Sequence, residues 1–165
     1  MECVLFAFMV NYKFGNNCFN LRTSCVLLHS GKVLLQYDDT GATYVLPGGR
    51  PELHEDSSVT LKREMIEELG IDVKIERLLY VAENFFVDSD INCHEISFIY
   101  LANPVKAWDE LGFEWPYHTK EGNLNIYFDW FDTDKLENIV LYPVFLRKAL
   151  NQEMHSEIRH LIIRP

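Results

Sequence analysis

The stretch "GGRPELHEDSSVTLKREMIEELGI", residues 48–71, decides how this chain is read. Val59, Met65, Ile66 and Leu69 recur at helical spacing and share one side of a helix, with Leu61 at the margin. Asp56 or Ser57 can cap its start, and Gly70 can end it in a left-handed conformation. Glu64, Glu67 and Glu68 then fall within an arc of about 100° on the other half of the wheel. Like charges at these spacings repel and weaken an isolated helix. Either solvent tolerates them or something positive sits among them.

The chemistry of the cluster favours a cation. Three carboxylates are oxygen-only donors, the set preferred by hard ions such as Mg²⁺ or Mn²⁺. The glycine pair Gly48-Gly49 lets backbone approach a ligand closely, and Arg63 can grip one acid through its fork. These parts describe metal-assisted attack of water on a phosphoanhydride.

Working outward, "FNLRTSCVLLHSGKVLLQY" reads as a hairpin turning at His29-Ser30-Gly31-Lys32. "TYVLPGG" reads as a short strand running into a turn. After Gly70, "VKIERLLYVAENFFV" and "HEISFIYLA" read as paired strands joined by "DSDIN". Residues 104–124, with two prolines and two glycines, read as an irregular loop. "NIYFDWF" is a strand, "TDKLEN" and "YPVFLRKALNQ" are short helices, and "EIRHLIIR" is a last strand. Strands mixed with few helices imply an α/β sandwich with a mixed sheet, and the 165 residues suit a single domain over 1–165.

Composition narrows the partners. The formal charge is -10, which makes the chain a poor general binder of nucleic acid and sits badly with RNA processing. An anionic substrate would need a bridging cation. Cys3, Cys18, Cys25 and Cys93 show no C-x-x-C spacing, so neither a zinc site nor a disulfide framework is suggested. They read as reduced, mostly buried thiols of a cytoplasmic protein. The apolar run Val4–Val10 is too short to span a membrane and reads as a strand or packed segment. Aromatic residues nearby offer a surface for a homodimer.

The pattern G-x5-E-x7-R-E-U-x-E-E-x-G-U, with U apolar, is filled by Gly49, Glu55, Arg63, Glu64, Met65, Glu67, Glu68, Gly70 and Ile71. It resembles the signature of Nudix hydrolases, and the flanking strands resemble the wider domain. "ENFF" followed by "HEISF" is similar to small bacterial members. The resemblance implies an α/β/α sandwich and hydrolysis of a nucleoside diphosphate linked to another group, with Mg²⁺ or Mn²⁺. It implies that Glu64, Glu67 and Glu68 are metal ligands, with Gly49 adding its carbonyl. Arg63 resembles the residue orienting a box glutamate, Glu55 an outer acid tying loop to helix, and Gly70 a structural position. His54 departs from the pattern, since many members have glycine there.

Glu64 is the first candidate for the general base; Glu95, Glu114 and Glu121 are candidates outside the box. Arg22 and Arg50 are candidates for phosphate or base contact. Phe85 or Phe86 is a candidate to stack on a base, and Tyr44, Trp115 and Trp130 to line a substrate pocket, against ordinary strand, core or rim packing. His29 and His118 carry no assigned chemistry. The alternative function is a catalytically silent Nudix-fold nucleotide sensor. Such a sensor would often lack a box acid, and none is lacking in this chain. No second motif names the leaving group.

Overall fold

The fold was taken from a computed structural model, in which residues 9–152 and 154–165 are described. The reading of Val4–Val10 lies outside them. Among the described residues, ten strands, two α-helices and two 3₁₀ segments follow one another along the chain. They are β1 (Asn11–Phe14), β2 (Asn17–His29), β3 (Lys32–Asp38), β4 (Tyr44–Val45) and α1 (Ser57–Leu69). Then come β5 (Val73–Asp88), β6 (Ile91–Pro104), a 3₁₀ turn (Trp108–Glu110), β7 (Tyr117–Glu121) and β8 (Leu124–Asp132). A second 3₁₀ segment (Thr133–Asn138), β9 (Leu141–Tyr142), α2 (Leu146–Ala149) and β10 (Arg159–Ile163) complete it.

The strands form one mixed sheet in the order β10-β5-β6-β2-β3-β4-β9, with β1 on β2 and the β7–β8 hairpin on β3. β2 runs parallel to β6, β10 to β5 and β4 to β9; the other pairs are antiparallel. Cys25 and Leu27 pack with α1, whereas Val26 packs with the elements after β8. Leu34 joins the first group, and Val33 and Leu35 join the second. The runs "SCVLL" and "KVLL" are therefore apolar at almost every position because both sheet faces are covered. α1 forms one outer layer; the second 3₁₀ segment and α2, through Leu136 and Leu146, form the other. This is the α/β/α sandwich expected, with a thin second helical layer.

Several expectations hold in detail. The β2–β3 hairpin turns at Ser30 and Gly31, both at positive φ. Asp56 Oδ1 caps α1 by accepting from the backbone N–H groups of Ser58 and Val59, and Gly70 closes it at φ 66°. The joint between β5 and β6 is shorter than "DSDIN" suggests, since the register continues to Asp88 and Ile91.

Three expectations need correction. Residues 104–124 are not wholly irregular: Tyr117–Glu121 is a strand zipped to β8 from Tyr117–Phe128 to Glu121–Leu124. "TDKLEN" is 3₁₀, and the stretch after it begins with β9 and holds a helix of only Leu146–Ala149. The four thiols are not all reduced. Cys18 and Cys93 form a disulfide, their Cα atoms 4.7 Å apart, because the parallel β2–β6 register sets them directly opposite. Cys25 is a free, fully buried thiol beside Met65 of α1. Among the described residues no helix is long and apolar enough to cross a membrane. Tyr12 and Phe14 on β1 are exposed.

Candidate active site

α1 is rotated away from its apolar stripe. Thr60, Leu61, Glu64, Met65 and Leu69 are buried, while Val59 and Ile66 stand 51% and 54% exposed. The packed face is centred about a quarter-turn from where the hydrophobic pattern would place it. The turn carries Glu64 toward the sheet, where only 8% of it remains exposed.

The glycine loop makes room for that carboxylate. It is laced along β2: Cys25 N–H donates to the Pro47 carbonyl at 3.0 Å and Thr23 N–H to the Gly49 carbonyl at 2.9 Å. Arg22 Nη2 donates to the Leu46 and Gly48 carbonyls, each at 3.1 Å. A side chain on Gly49 would collide with the carboxyl group of Glu64. The Gly49 carbonyl keeps a second lone pair for a ligand. His54, farther along the loop, takes φ 72°, a conformation glycine adopts without strain.

Arg63 is the positive group among the acids. Its Nε and Nη2 grip Glu55 Oε1 and Oε2, both at 3.0 Å, and Nη2 also donates to the Arg50 carbonyl at 3.1 Å. Nη1 donates to Glu64 Oε1 and Glu67 Oε2, each at 2.9 Å. All five guanidinium donors are thereby used. Glu55 further accepts from Glu52 N–H at 3.0 Å and Thr60 Oγ1 at 2.9 Å. The Arg63 hydrogen bonds hold the Glu55 carboxyl below the usual glutamate range. Burial pushes Glu64 the other way, against the pull of Arg63.

A testable consequence follows for stability. Glu55→Gln removes charge-assisted bonds to Arg63 and is expected to destabilise the protein by about 2 kcal/mol at neutral pH. Since the native pKa of Glu55 is lowered, its contribution is full above the ordinary glutamate value and fades as pH falls through the native value. The gap between parent and variant in urea unfolding should narrow below about pH 4. A gap independent of pH between about 3 and 7 would contradict this role.

Glu64 and Glu68, with Gly48, Gly49, Arg22, Gln36 and Arg50, line a small cavity of about 60 Å³. The Gln36 side-chain oxygen there is buried without a hydrogen-bond partner among the described residues. Among those residues, no three His, Cys, Asp or Glu groups converge as a ready metal cage. The guanidinium of Arg63 stands between Glu64 and Glu67. The donor set nonetheless fits a hard divalent ion, being carboxylate and carbonyl oxygen around a polar cavity.

A larger cavity of about 790 Å³ lies beyond Arg22, which lines both. Phe85 lines it, but not as a bare stacking platform. His94 stacks on its ring at 4.3 Å and the Arg164 guanidinium lies 4.2 Å from its centre. Two groups that close to one ring centre cannot share a face, so both faces are covered. Tyr44, Trp115 and Trp130 pack against the cores instead. Glu95 lines the larger cavity, not the smaller. Glu114 is exposed and lines neither, and the Glu121 side chain lies outside the described set. Two residues carried no sequence signal beyond being polar in a strand. They are Gln36 and Asn20, which bridges Arg50 Nε at 2.7 Å and Glu95 Oε2 at 2.6 Å.

The NUDIX domain family model matches residues 19–151. The chain belongs to the Nudix family, and so is an enzyme of the class that hydrolyses phosphorus-containing anhydrides. No curated protein matches it. Solved structures share its fold. An ADP-ribose pyrophosphatase from Streptococcus suis is 17% identical, with TM-score 0.57 over 87% of this chain and 98% of that one. A NUDIX hydrolase from Nitrosomonas europaea is 18% identical, with TM-score 0.60 over 87% and 78%. A mutator MutT protein from Bacillus halodurans is 22% identical, with TM-score 0.54 over 86% and 89%.

Proposed function

We propose that the chain is a metal-dependent nucleotide pyrophosphohydrolase, cleaving a nucleoside diphosphate linked to another group. The observation that carries this is the buried Glu64 carboxylate, held by Arg63 against the Gly48-Gly49 turn at the wall of a polar cavity. Glu64, Glu68 and the Gly49 carbonyl would hold Mg²⁺ or Mn²⁺, with Glu67 at the outer edge. Such an ion supplies charge neutralisation at phosphate oxygens and eases ionisation of water.

The side chains define the rest. The Glu64 carboxylate, fixed by Arg63 at the wall of the small cavity, accepts the proton of the attacking water. The water oxygen bonds to phosphorus, and the bridging oxygen of the anhydride leaves with its electron pair. Arg63, anchored by Glu55, keeps the Glu64 oxygen in one place. Arg50 and Arg22 border the cavity and would meet phosphate oxygens, with the nucleoside in the larger cavity.

The test is a product-release screen of purified protein on nucleotide sugars, ADP-ribose, dinucleoside polyphosphates, coenzyme A and nucleoside triphosphates. Mg²⁺ and Mn²⁺ would be supplied, with chelator and Glu67→Gln as controls. Turnover of one class, lost in both controls, is expected. Tight nucleotide binding without turnover on any class would favour a silent sensor. The family's small nucleotide substrates, a cytoplasmic location and a homodimer through Tyr12 and Phe14 are compatible readings of the same chain.

A further inference from the structure

Arg22, Arg50 and Arg63 all stand at the glycine loop. A guanidinium grips two phosphate oxygens through an edge with two free donors, either Nε with Nη2 or Nη1 with Nη2. Arg63 has no such edge left, since its five donors hold Glu55, Glu64, Glu67 and the Arg50 carbonyl. Arg22 has none either. Both N–H groups of its Nη2 go to the Leu46 and Gly48 carbonyls, and Nη2 belongs to each edge. Arg50 differs. Its Nε is taken by Asn20, but among the described residues nothing is bonded to Nη1 or Nη2. Arg50 lines the small cavity with Glu64 and Glu68.

A buried chain of hydrogen bonds holds this fork. Arg50 Nε donates to Asn20 Oδ1 at 2.7 Å, and Asn20 Nδ2 donates to Glu95 Oε2 at 2.6 Å. Nε can only donate and a carboxylate can only accept, so the Asn20 amide has one workable orientation. Flipped, it would set N–H against N–H at Arg50 and oxygen against oxygen at Glu95. Asn20 and Glu95 are only 7% and 8% exposed. They are direct partners in the parallel β2–β6 register, and the Cys18–Cys93 disulfide ties the same two strands just beyond them. The Arg50 carbonyl is fixed as well, by Arg63 Nη2 at 3.1 Å. Held at its backbone and at Nε, the side chain has little rotamer freedom left to lose when a ligand arrives.

We propose that Asn20 and Glu95 are positioning residues that hold Arg50 as the phosphate-gripping fork of the small cavity. Neither meets the phosphate; each acts through the residue in front of it. The assignment rests on the reading of this chain as a nucleotide pyrophosphohydrolase, and it gives Glu95 a role other than proton acceptor.

Methylenediphosphonate, a pyrophosphate analogue that resists hydrolysis, tests the grip without turnover or a base. Its binding to the full chain with Mg²⁺ would be measured by calorimetry. Arg50→Ala, Asn20→Leu and Glu95→Leu should each weaken it by about tenfold, in proteins that still melt cooperatively. Adding Asn20→Leu to Arg50→Ala should cost nothing further, which a general loss of structure would not give. Glu95→Gln keeps an acceptor for Asn20 and should recover most of what Glu95→Leu loses. An Asn20→Leu loss that persists in full beside Arg50→Ala overturns the proposal, as does a Glu95→Gln variant no better than Glu95→Leu. Parent-like binding by Arg50→Ala or Asn20→Leu, or no binding by the parent, overturns it too, whatever the substrate screen returns. A grip that obeys the cycle in a protein that hydrolyses nothing would sink the hydrolase reading and leave this one standing.

Discussion

Gly48→Ala is expected to yield no stably folded protein. Gly48 holds φ 140°, where L side chains are strained. A Cβ there would overlap the Thr23 carbonyl oxygen and lie 2.6 Å from Ser24 Cα. Both obstacles are backbone of β2, a strand paired along its length with β6 and fixed by the core on both faces. Neither can swing aside as a side chain would. Strain and collision together should cost about 4 kcal/mol or more, much of what a domain of this size has. Urea unfolding of whatever soluble protein is recovered measures it. A variant within about 1 kcal/mol of the parent would mean that the loop can lift off β2 without loss.

What the sequence disclosed was local. The Asp56 cap, the Gly70 stop and the Ser30-Gly31 turn each depend on residues within a few positions, and each was found where expected. The box residues also came together, because one helix and one loop carry nearly all of them. The rotation of α1 was hidden. Hydrophobicity placed Val59 and Ile66 inward, but the space beside Gly49 and the Arg63 bonds favour turning Glu64 in. β7 was masked by the glycines and prolines around it, although Tyr117 and Thr119 alternate with more exposed neighbours. The Cys18–Cys93 bond and the Asn20–Glu95 contact share one cause, the parallel register of β2 on β6. Each joins residues 75 positions apart, and no spacing within either strand announces it.

Gly49→Ala, one position further, is expected to fail differently: the protein folds but turnover falls by about 10²–10³. Gly49 is not in the left-handed region, so alanine can take its backbone conformation. Its Cβ would meet the three carboxyl atoms of Glu64, all within 2.5 Å, with no other atom among the nearest contacts. Those atoms end a flexible side chain and can rotate away. In doing so they leave Arg63 Nη1, which holds Glu64 Oε1 at 2.9 Å, and the small cavity they border. One charge-assisted bond lost costs stability by only about 1–2 kcal/mol. On the proposed mechanism, displacing that carboxylate from the attacking water removes most of what a positioned base contributes. The cycle with Glu64→Gln separates this route from others. If Gly49 acts through Glu64, Gly49→Ala adds nothing to kcat loss once Glu64 is Gln. Full additivity of the two losses would place the role of Gly49 in its own carbonyl or in the loop. The Glu64 carboxylate would then no longer explain why position 49 lacks a side chain.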